Sequence, residues 1–394
     1  MFTHINNFVE NIMYNCSSIF SLFSVSPFEI LALCSQVKDV SSKLADCERL
    51  INDLKRQLDN LNEANTQLHL QLKNAMIDHS FSIERICDSK IKGLLRYYTG
   101  FESAEFNSLC DVLKVPLINE PQVSPLSYVS RTKSAKLPLR VQLFIVLCKL
   151  RNNFDTKDLA FRFGINQPDV CILFNSWINY MFQQLGSISI WPHRSVIQSI
   201  MPVAYRNDFP NTLAILDCTE LKIQKPSCLK LQSQCFSDYK STTTLKILVV
   251  CDPIGSVMFA SALQTGAMSD KEIFERSGLK QQLKRLIQCG YVNVGDGLMS
   301  DKGFNVVGEV EDIGLHLNLP PFAKSGCQMP MHNVEMTKKI AKHRVHVERC
   351  IGKIKTFKIL SGRIRNATLA SVDQIWLVCC LLTNFQPPLF SRAI

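Results

Sequence analysis

The chain has 394 residues, of which 46% are hydrophobic, and it carries a formal net charge of +10. This length and apolar content predict two or three domains with a sizeable buried core. The 16 cysteines show no zinc-finger spacing and accompany no secretory signal, so they exclude a disulfide framework and indicate reduced, mostly buried thiols in an intracellular protein.

Residues 1–36 contain no Lys or Arg and only two acids, Glu10 and Glu29. A signal peptide requires a positively charged leader, which this segment lacks. Its apolar run is interrupted by Pro27 and Glu29 and is too short for a membrane span. We therefore leave the segment unassigned and expect no membrane partner.

Residues 37–78 are predicted to form a coiled coil, because eleven of 12 seam positions in their heptad repeat are apolar. The polar seam residue, Asn65, is a device that fixes register in parallel dimers, so we expect a homodimer. The alternative is one amphipathic helix that packs on its own domain. The seam positions are Val37, Val40, Leu44, Cys47, Ile51, Leu54, Leu58, Leu61, Asn65, Leu68, Leu72 and Ala75.

Two segments of different character follow the heptads. Residues 79–135 are predicted to be a linker with a helical segment, because they include polar and proline-containing stretches. Residues 136–190 are predicted to be a helix-turn-helix domain, in which Gly164 marks the turn because a positive φ costs little only for glycine. Asn166 would cap the second helix, and Val170 would pack back onto the first.

The second helix of this motif has an unusual composition for a DNA-reading helix. No Lys or Arg occurs from Asn166 to Met181, so bases would have to be read by Gln167 and Asn175. Phosphate contacts would then come from neighbouring cations, namely Lys149, Arg151, Lys157 or Arg162. A purely structural helical pair is the alternative.

Residues 205–390 alternate strands and helices, which predicts an α/β domain with a mixed sheet. The first strand contains Asp217, a later strand ends at Asp301, and the last long helix carries Glu348. Strands are predicted at TLAILDCTELKI, TTTLKILVVCD, SVMFASALQ, GLMSD and LHLNLPPF, and helices at residues 270–289 and 333–359.

In such a sheet, Asp217, Asp301 and Glu348 can converge at one edge of the central strands. Three gathered carboxylates repel one another unless cations compensate them, and hard oxygen ligands suit Mg²⁺ or Mn²⁺. Two such ions about 4 Å apart would activate an attacking oxygen and stabilise the leaving one in phosphodiester displacement. Asp296, beside two glycines, competes with Asp301, and Asp270 is most simply a helix N-cap.

The window Lys324–Arg365 contains 11 Lys or Arg but only two acids, Glu335 and Glu348. Charge concentrated in this way indicates either an anionic partner such as nucleic acid or a solvated basic helix face. Glu348 has two interpretations as well. It forms a surface salt bridge with Arg344 four residues back, or it binds metal beside a surface that holds phosphates.

In these segments the sequence resembles the DDE superfamily transposases of eukaryotic DNA transposons, in the PIF/Harbinger-like group that joins a helix-turn-helix to a DDE endonuclease domain. Five segments between residues 90 and 385 carry the resemblance: YYTGFES, LRNNFDTKDLAFRFGINQPDV, ILDCTELKIQKPSCLKLQSQCFSDYKSTTTLKILVV, GDGLMSDKGF and KKIAKHRVHVERCIGKIK. Relatives often begin with a zinc-dependent DNA-binding domain, for which the N-terminal cysteines here are too widely spaced.

The resemblance implies a ribonuclease-H-like fold for residues 205–390 and a catalytic and metal-binding triad of Asp217, Asp301 and Glu348 with two Mg²⁺ or Mn²⁺ ions. It further implies a nuclear nuclease or transposase that acts on double-stranded transposon ends and target DNA, aided by a separate DNA-binding partner protein. A domesticated, catalytically silent DNA-binding or scaffold protein is the alternative. The residues expected to contact DNA are Lys240, Lys338, Lys342, Arg344, Arg349, Gln167 and Asn175.

Overall fold

The computed structural model describes residues 27–79, 81–116, 137–322 and 328–390. The chain divides into two units, residues 1–79 and 80–394. Most of the unassigned N-terminal segment, at residues 1–26, lies outside the described residues, and so does the proline-containing part of the predicted linker, at residues 117–135.

The described part of the first unit is a single helix of 53 residues, α1 (Pro27–His79). It begins before the predicted start at residue 37 and takes in the end of the unassigned segment. The seam residues from Val37 to Leu68 are exposed, and the exposed fraction of their large apolar side chains lies between 45% and 68%. The seam is therefore open along α1, and its pairing with a second helix stays a prediction.

The second unit begins with a group of helices, the first three of which lie where a linker was predicted. Phe101, Phe106 and Leu109 are fully buried among them, so residues 83–112 are part of the core. These helices are short, and their apolar residues recur at helical spacing within a stretch that is polar on average. The helices are α2 (Ile83–Asp88), α3 (Leu94–Thr99), α4 (Ser103–Val112), α5 (Leu139–Asn152), α6 (Thr156–Phe163) and α7 (Gln167–Gly186).

Helices α6 and α7 form the predicted helix-turn-helix. Gly164 ends α6 with a φ of +61°, the left-handed conformation expected at the turn. Asn166 occupies the N-cap position of α7 in extended conformation, although its side chain makes no capping bond to the described backbone. Val170 is fully buried, and the Trp177 Nε1 of α7 donates to the side-chain oxygen of Gln142 on α5 at 3.1 Å. The pair is thus fixed to a third helix.

A mixed sheet forms the centre of the second unit, as the strand patterns predict. Its strands run in the order β2-β3-β1-β6-β7, with β4 and β5 also paired to β3. Strand β1 is antiparallel to β3 and parallel to β6, which is in turn parallel to β7. The strands are β1 (Thr212–Lys222), β2 (Phe236–Ser237), β3 (Thr242–Cys251), β4 (Val257–Ala260), β5 (Gln264–Thr265), β6 (Gly297–Met299) and β7 (His316–Asn318).

Two of the predicted helices around the sheet have different bounds. The helix predicted at 270–289 is divided at Gly278, whose φ is +80°, and the helix predicted at 333–359 runs from Met331 to Ile354. Four helices were not predicted, namely Arg194–Ile200, Val203–Asp208, Leu229–Cys235 and Val372–Thr383. The helices are α8 (Arg194–Ile200), α9 (Val203–Asp208), α10 (Leu229–Cys235), α11 (Asp270–Arg276), α12 (Leu279–Gln288), α13 (Val307–Glu311), α14 (Met331–Ile354) and α15 (Val372–Thr383).

The two faces of the sheet are covered by different helices. Ile215 of β1 belongs to the core that includes Val347 of α14 and Trp376 of α15, whereas Leu216 belongs to the core beneath α11, α12 and α13. Because side chains alternate along a strand, Asp217 faces α14. The stretch 366–383 is apolar and long enough to pass for a membrane span, but half of it is buried, as expected of a core helix.

Candidate active site

Asp217 lies in the middle of β1, on the face that α14 covers. Its Oδ1 accepts a hydrogen bond from the backbone N–H of Cys218 at 3.0 Å, and its side chain is 19% exposed. Burial raises the pKa of Asp217 to about 7. Arg344 opposes that rise, and the nearby Asp301 and Glu348 carboxylates add to it. A half-buried carboxylate that resists ionisation is a group that a bound cation would stabilise.

Asp301 lies in the turn that follows β6, the parallel neighbour of β1. The backbone N–H of Gly303 donates to its Oδ1 at 2.9 Å and so fixes the carboxylate within the turn. A Cβ added at Gly303 would lie 3.0 Å from Asp270 Oδ2 and 3.1 Å from Asp301 Oδ1, tighter than ordinary contact. A side chain at position 303 would therefore require one of these two carboxylates to shift by a few tenths of an ångström.

Glu348 is presented by α14, which is held firmly on the sheet. Val347 and Cys350 are buried on either side of it, while Glu348 itself is exposed. Two buried histidines also anchor the helix: His343 Nε2 lies 2.9 Å from Asp208 Oδ2, and His346 Nδ1 lies 2.6 Å from the carbonyl oxygen of Pro253. The position of the glutamate is thus set by the packing of the whole helix.

The three carboxylates meet at one guanidinium group. Arg344 Nη2 lies 3.9 Å from Asp217 Oδ1, 3.8 Å from Asp301 Oδ2 and 3.7 Å from Glu348 Oε1. These distances exceed hydrogen-bond length, so Arg344 acts as a shared positive charge for all three. Its side chain is 18% exposed, and its Nε is buried with no hydrogen-bond partner among the described residues. Structure thus brings the sequence-predicted triad together.

The donor atoms at this point suit a hard divalent cation, because all three are carboxylate oxygens. Among the described residues, however, no group of three or more Asp, Glu, His or Cys side chains lies at metal-binding spacing. The carboxylates instead surround Arg344. The residues therefore fit a hard divalent cation in the chemistry of their donor atoms, but in this structure their spacing is set around Arg344.

Asp296, the alternative second carboxylate, is engaged elsewhere. Its two oxygens accept bonds from Arg194 at 2.9 and 3.0 Å, and Oδ2 also accepts from the N–H of Asn293 at 2.7 Å. It is 3% exposed and lies before β6, whereas Asp301 lies after it. This bidentate pair gives Asp296 a structural role at the opposite end of the strand from the carboxylate group.

Asp270 differs from its predicted role as a helix N-cap. Ser269 is the N-cap of α11, and its side chain accepts from the N–H of Glu272. Asp270 instead pairs with Lys246 of β3 at 2.7 Å and lies beside the turn that holds Asp301. The side chains of the pair are largely buried, with exposed fractions of 16% and 23%. Asp270 is therefore held by Lys246 and does not cap α11.

The cations of α14 divide into exposed and engaged groups. Lys338, Lys342 and Arg349, all expected to contact DNA, are exposed, whereas Arg344 is turned toward the carboxylates. Just beyond the helix, Lys355 donates to Thr219 Oγ1 at 2.6 Å, and burial lowers its pKa. The basic window is thus only partly a solvated surface.

The remaining residues expected to contact DNA lie outside α14. Lys240 is exposed, with its Nζ 4.3 Å from the centre of the Tyr239 ring. Gln167 and Asn175 are exposed on α7, where Gln167 Nε2 donates to Thr156 Oγ1 at 3.1 Å. Of the phosphate contacts considered for this motif, Lys149 donates to the carbonyl oxygen of Phe154 at 3.1 Å.

Comparison with known families gives two matches. Residues 216–384 match the family described as DDE superfamily endonuclease, and residues 135–187 match the helix-turn-helix of DDE superfamily endonuclease. The first range contains Asp217, Asp301 and Glu348 together with Arg344. The comparisons with curated proteins and with solved structures gave no match. The family match and the mixed sheet together confirm the expected ribonuclease-H-like fold.

Proposed function

We propose that the chain is a metal-dependent nuclease of the transposase type that cleaves DNA phosphodiester bonds, because residues 216–384 match the DDE superfamily endonucleases and residues 135–187 match the helix-turn-helix of that superfamily. The observation that carries this proposal is the approach of three carboxylates to one atom of Arg344. They come from the middle of β1, from the turn after β6 and from α14. A structural salt bridge needs one carboxylate, and three are an excess that a divalent cation offsets.

Each residue has a defined part in the proposed reaction. Asp217, Asp301 and Glu348 would hold Mg²⁺ or Mn²⁺, in one or two ions. When bound, the metal supplies the Lewis acidity that activates an attacking oxygen and stabilises the leaving one. Arg344 keeps the carboxylates together by reducing their mutual repulsion. Because Asp217 and Arg344 are mostly buried, the field between these groups is weakly screened.

DNA is the proposed substrate, in its double-stranded form at transposon ends and at target sites. The exposed Lys338, Lys342 and Arg349 lie on the helix that presents Glu348, so a backbone held there would pass close to the carboxylates. Gln167 and Asn175 are the proposed base-reading side chains of the helix-turn-helix. Joining of a freed 3′-hydroxyl to target DNA is proposed as a second step, and the nucleus as the compartment.

A homodimer through α1 is the proposed assembly, since the seam is apolar and exposed over its described length. We expect Leu54→Glu with Leu61→Glu to convert the full-length protein to a monomer in light scattering at micromolar concentration. Lys55→Glu, which changes charge one residue away from the seam, serves as the control. A monomeric wild type, or a dimer that persists in the double variant, would contradict this assembly.

The proposed activity is tested by nicking of supercoiled DNA in Mg²⁺ or Mn²⁺, with EDTA as the blank. Wild type is expected to nick, and Asp217→Asn, Asp301→Asn and Glu348→Gln are each expected to abolish nicking. Asp312→Asn provides a matched control, because Asp312 is a 70%-exposed carboxylate that pairs with Lys280 instead. Equal nicking by wild type and Asp301→Asn would sink the proposal. Salt-sensitive DNA binding without any nicking would favour the catalytically silent alternative.

A further inference from the structure

The connection between β1 and β3 forms an exposed arm that the proposed reaction does not use. This β1–β3 arm, residues 223–241, includes α10 and β2 and carries three lysines but one acid, Asp238. It also exposes large apolar side chains: Tyr239 is 84% exposed, Leu229 79% and Phe236 43%. Exposed aromatic and aliphatic groups among lysines are a combination that requires a ligand or a partner to explain it.

A cavity of about 770 Å³ lies at the base of this arm. Leu229 and Phe236 supply apolar surface to its wall, and Ser241 and Thr242 supply hydroxyl groups. Lys225 and Arg363 contribute positive charge and Asp238 one negative charge, so the wall keeps one net positive charge. The lining thus combines surface for stacking, hydrogen-bonding groups and cations in one concave site.

This composition favours nucleic acid over a protein partner. Protein interfaces are depleted in lysine and serine, whereas single-stranded nucleic acid is bound by aromatic stacking surfaces within a positively charged groove. In paired duplex DNA the base faces are stacked and inaccessible. We propose that the cavity of the β1–β3 arm binds an unpaired stretch of DNA strand, with a base against Phe236 and Leu229 and phosphates on Lys225 and Arg363.

The position of the arm connects it to the carboxylate group. Strand β1 leads from Asp217 to the cavity wall at Ile223, a span of about 20 Å at the rise of an extended strand. Lys355 lies along this path, where its Nζ donates to Thr219 Oγ1 and to the carbonyl oxygen of Glu220. A strand of roughly six nucleotides at stacked spacing would reach from one site to the other.

The test measures binding without cleavage, using full-length Asp301→Asn protein in EDTA. Two fluorescent duplexes are compared, one blunt and one with a six-nucleotide thymidine overhang, by fluorescence anisotropy. The overhang duplex is expected to bind about tenfold more tightly, and Leu229→Ala with Phe236→Ala to remove that preference, in line with the usual strength of base stacking. Phe236→Trp should retain it. The matched control, Tyr291→Ala, changes a 39%-exposed aromatic that lies outside the β1–β3 arm and does not line the cavity.

The cationic half of the site has a separate readout. Lys225→Ala and Arg363→Ala should each reduce the salt slope of overhang binding by about 0.7, while Lys284→Ala on α12 should not. Equal affinity of the parent protein for both duplexes overturns the proposal. An overhang preference that survives Leu229→Ala with Phe236→Ala overturns it too, because the unpaired strand is then bound elsewhere on the protein. The inference rests on the proposed function only for its choice of DNA as the ligand. If the wild-type protein does not nick DNA, the binding measurement still tests the inference.

Discussion

The two ends of β6 lead to two aspartates that are neutralised in different ways: Asp296 is buried, whereas Asp301 is 36% exposed. Before the strand, Asp296 has Arg194 to itself, with both oxygens bonded at 2.9 and 3.0 Å. After the strand, Asp301 shares Arg344 with Asp217 and Glu348, and no contact in that group is shorter than 3.7 Å. One end of β6 therefore holds a bidentate ion pair. The other end holds a cluster of three carboxylates around one guanidinium group, at longer distances.

This contrast indicates which carboxylates can still bind an added cation. A bidentate pair satisfies the charge and lone pairs of its members, so Asp296 has little affinity left for another cation. Three carboxylates around a distant guanidinium keep unsatisfied oxygen atoms at a common point, which is the arrangement that favours binding of an added cation. Four experiments test this difference between the two ends of β6.

The largest expected effect is on activity. Asp301→Ala is expected to lower divalent-dependent nicking at least about 10³-fold, because it removes an oxygen ligand from the reacting site. Asp296→Ala is expected to keep wild-type activity per folded molecule, measured after the folded fraction has been determined by circular dichroism. If only Asp296→Ala lost activity, the assignment of Asp301 as the second carboxylate would be wrong.

For stability we expect the reverse order, with Asp296→Ala more damaging than Asp301→Ala. Asp296→Ala leaves Arg194 without its partner beside the sheet and is expected to lower the free energy of unfolding by about 3 kcal/mol, as for other broken buried pairs. Asp301→Ala, on a side chain that is 36% exposed, should change it by less than about 1 kcal/mol. Urea denaturation of both variants measures this. Similar losses in the two would remove the distinction between the ion pair and the cluster.

The third effect depends on pH through Asp217. Its pKa is raised from 3.8 to about 7, so the folded protein binds this proton more tightly than the unfolded chain does. The free energy of unfolding of wild type should therefore fall relative to Asp217→Asn as pH rises from about 4 to about 7, by up to about 3 kcal/mol. Parallel denaturation at pH 5 and pH 8 gives the difference, and a constant difference would mean that Asp217 titrates normally.

The smallest effect is on Arg344. Without a metal ion, Arg344→Met leaves three carboxylates with no counter-charge and should lower stability by about 1–2 kcal/mol. Added Mn²⁺ should then raise the thermal midpoint of the variant more than that of wild type, since the ion replaces the missing charge. Arg349→Met on the exposed side of α14 is the control. Equal shifts by Mn²⁺ in all three proteins would show that Arg344 and the ion do not share a site.

Local patterns in the sequence were enough to predict the elements that carry the site. The strand at residues 212–222 and the turn at Gly164 each depend on neighbours within a few residues, and both predictions are confirmed. The spacing of Arg344 and Glu348 likewise predicted one ion pair, which is present at 3.7 Å. Identification of the triad required the family resemblance as well, since aspartates and glutamates elsewhere in the chain have similar local surroundings.

Contacts between distant segments could not be predicted in this way. Arg194 and Asp296 are 102 residues apart, and nothing in either segment indicates the other. The approach of Arg344 to Asp217 and Asp301 depends on how α14 lies across the sheet, which in turn depends on packing. The same limit applies to residues 83–112, within the predicted linker with a helical segment, since their core contacts lie on helices far along the chain.

Gly303 has no side chain, so the size of the residue at this position can be increased to test how Asp301 must be placed. A methyl group there would press on Asp270 from one direction and on Asp301 from the other. Alanine, serine and valine at position 303 are successively bulkier. Each is expected to displace Asp301 by a different amount, without altering any charged residue. Catalytic output across that series would report how finely the carboxylate must be aimed, independently of its chemistry.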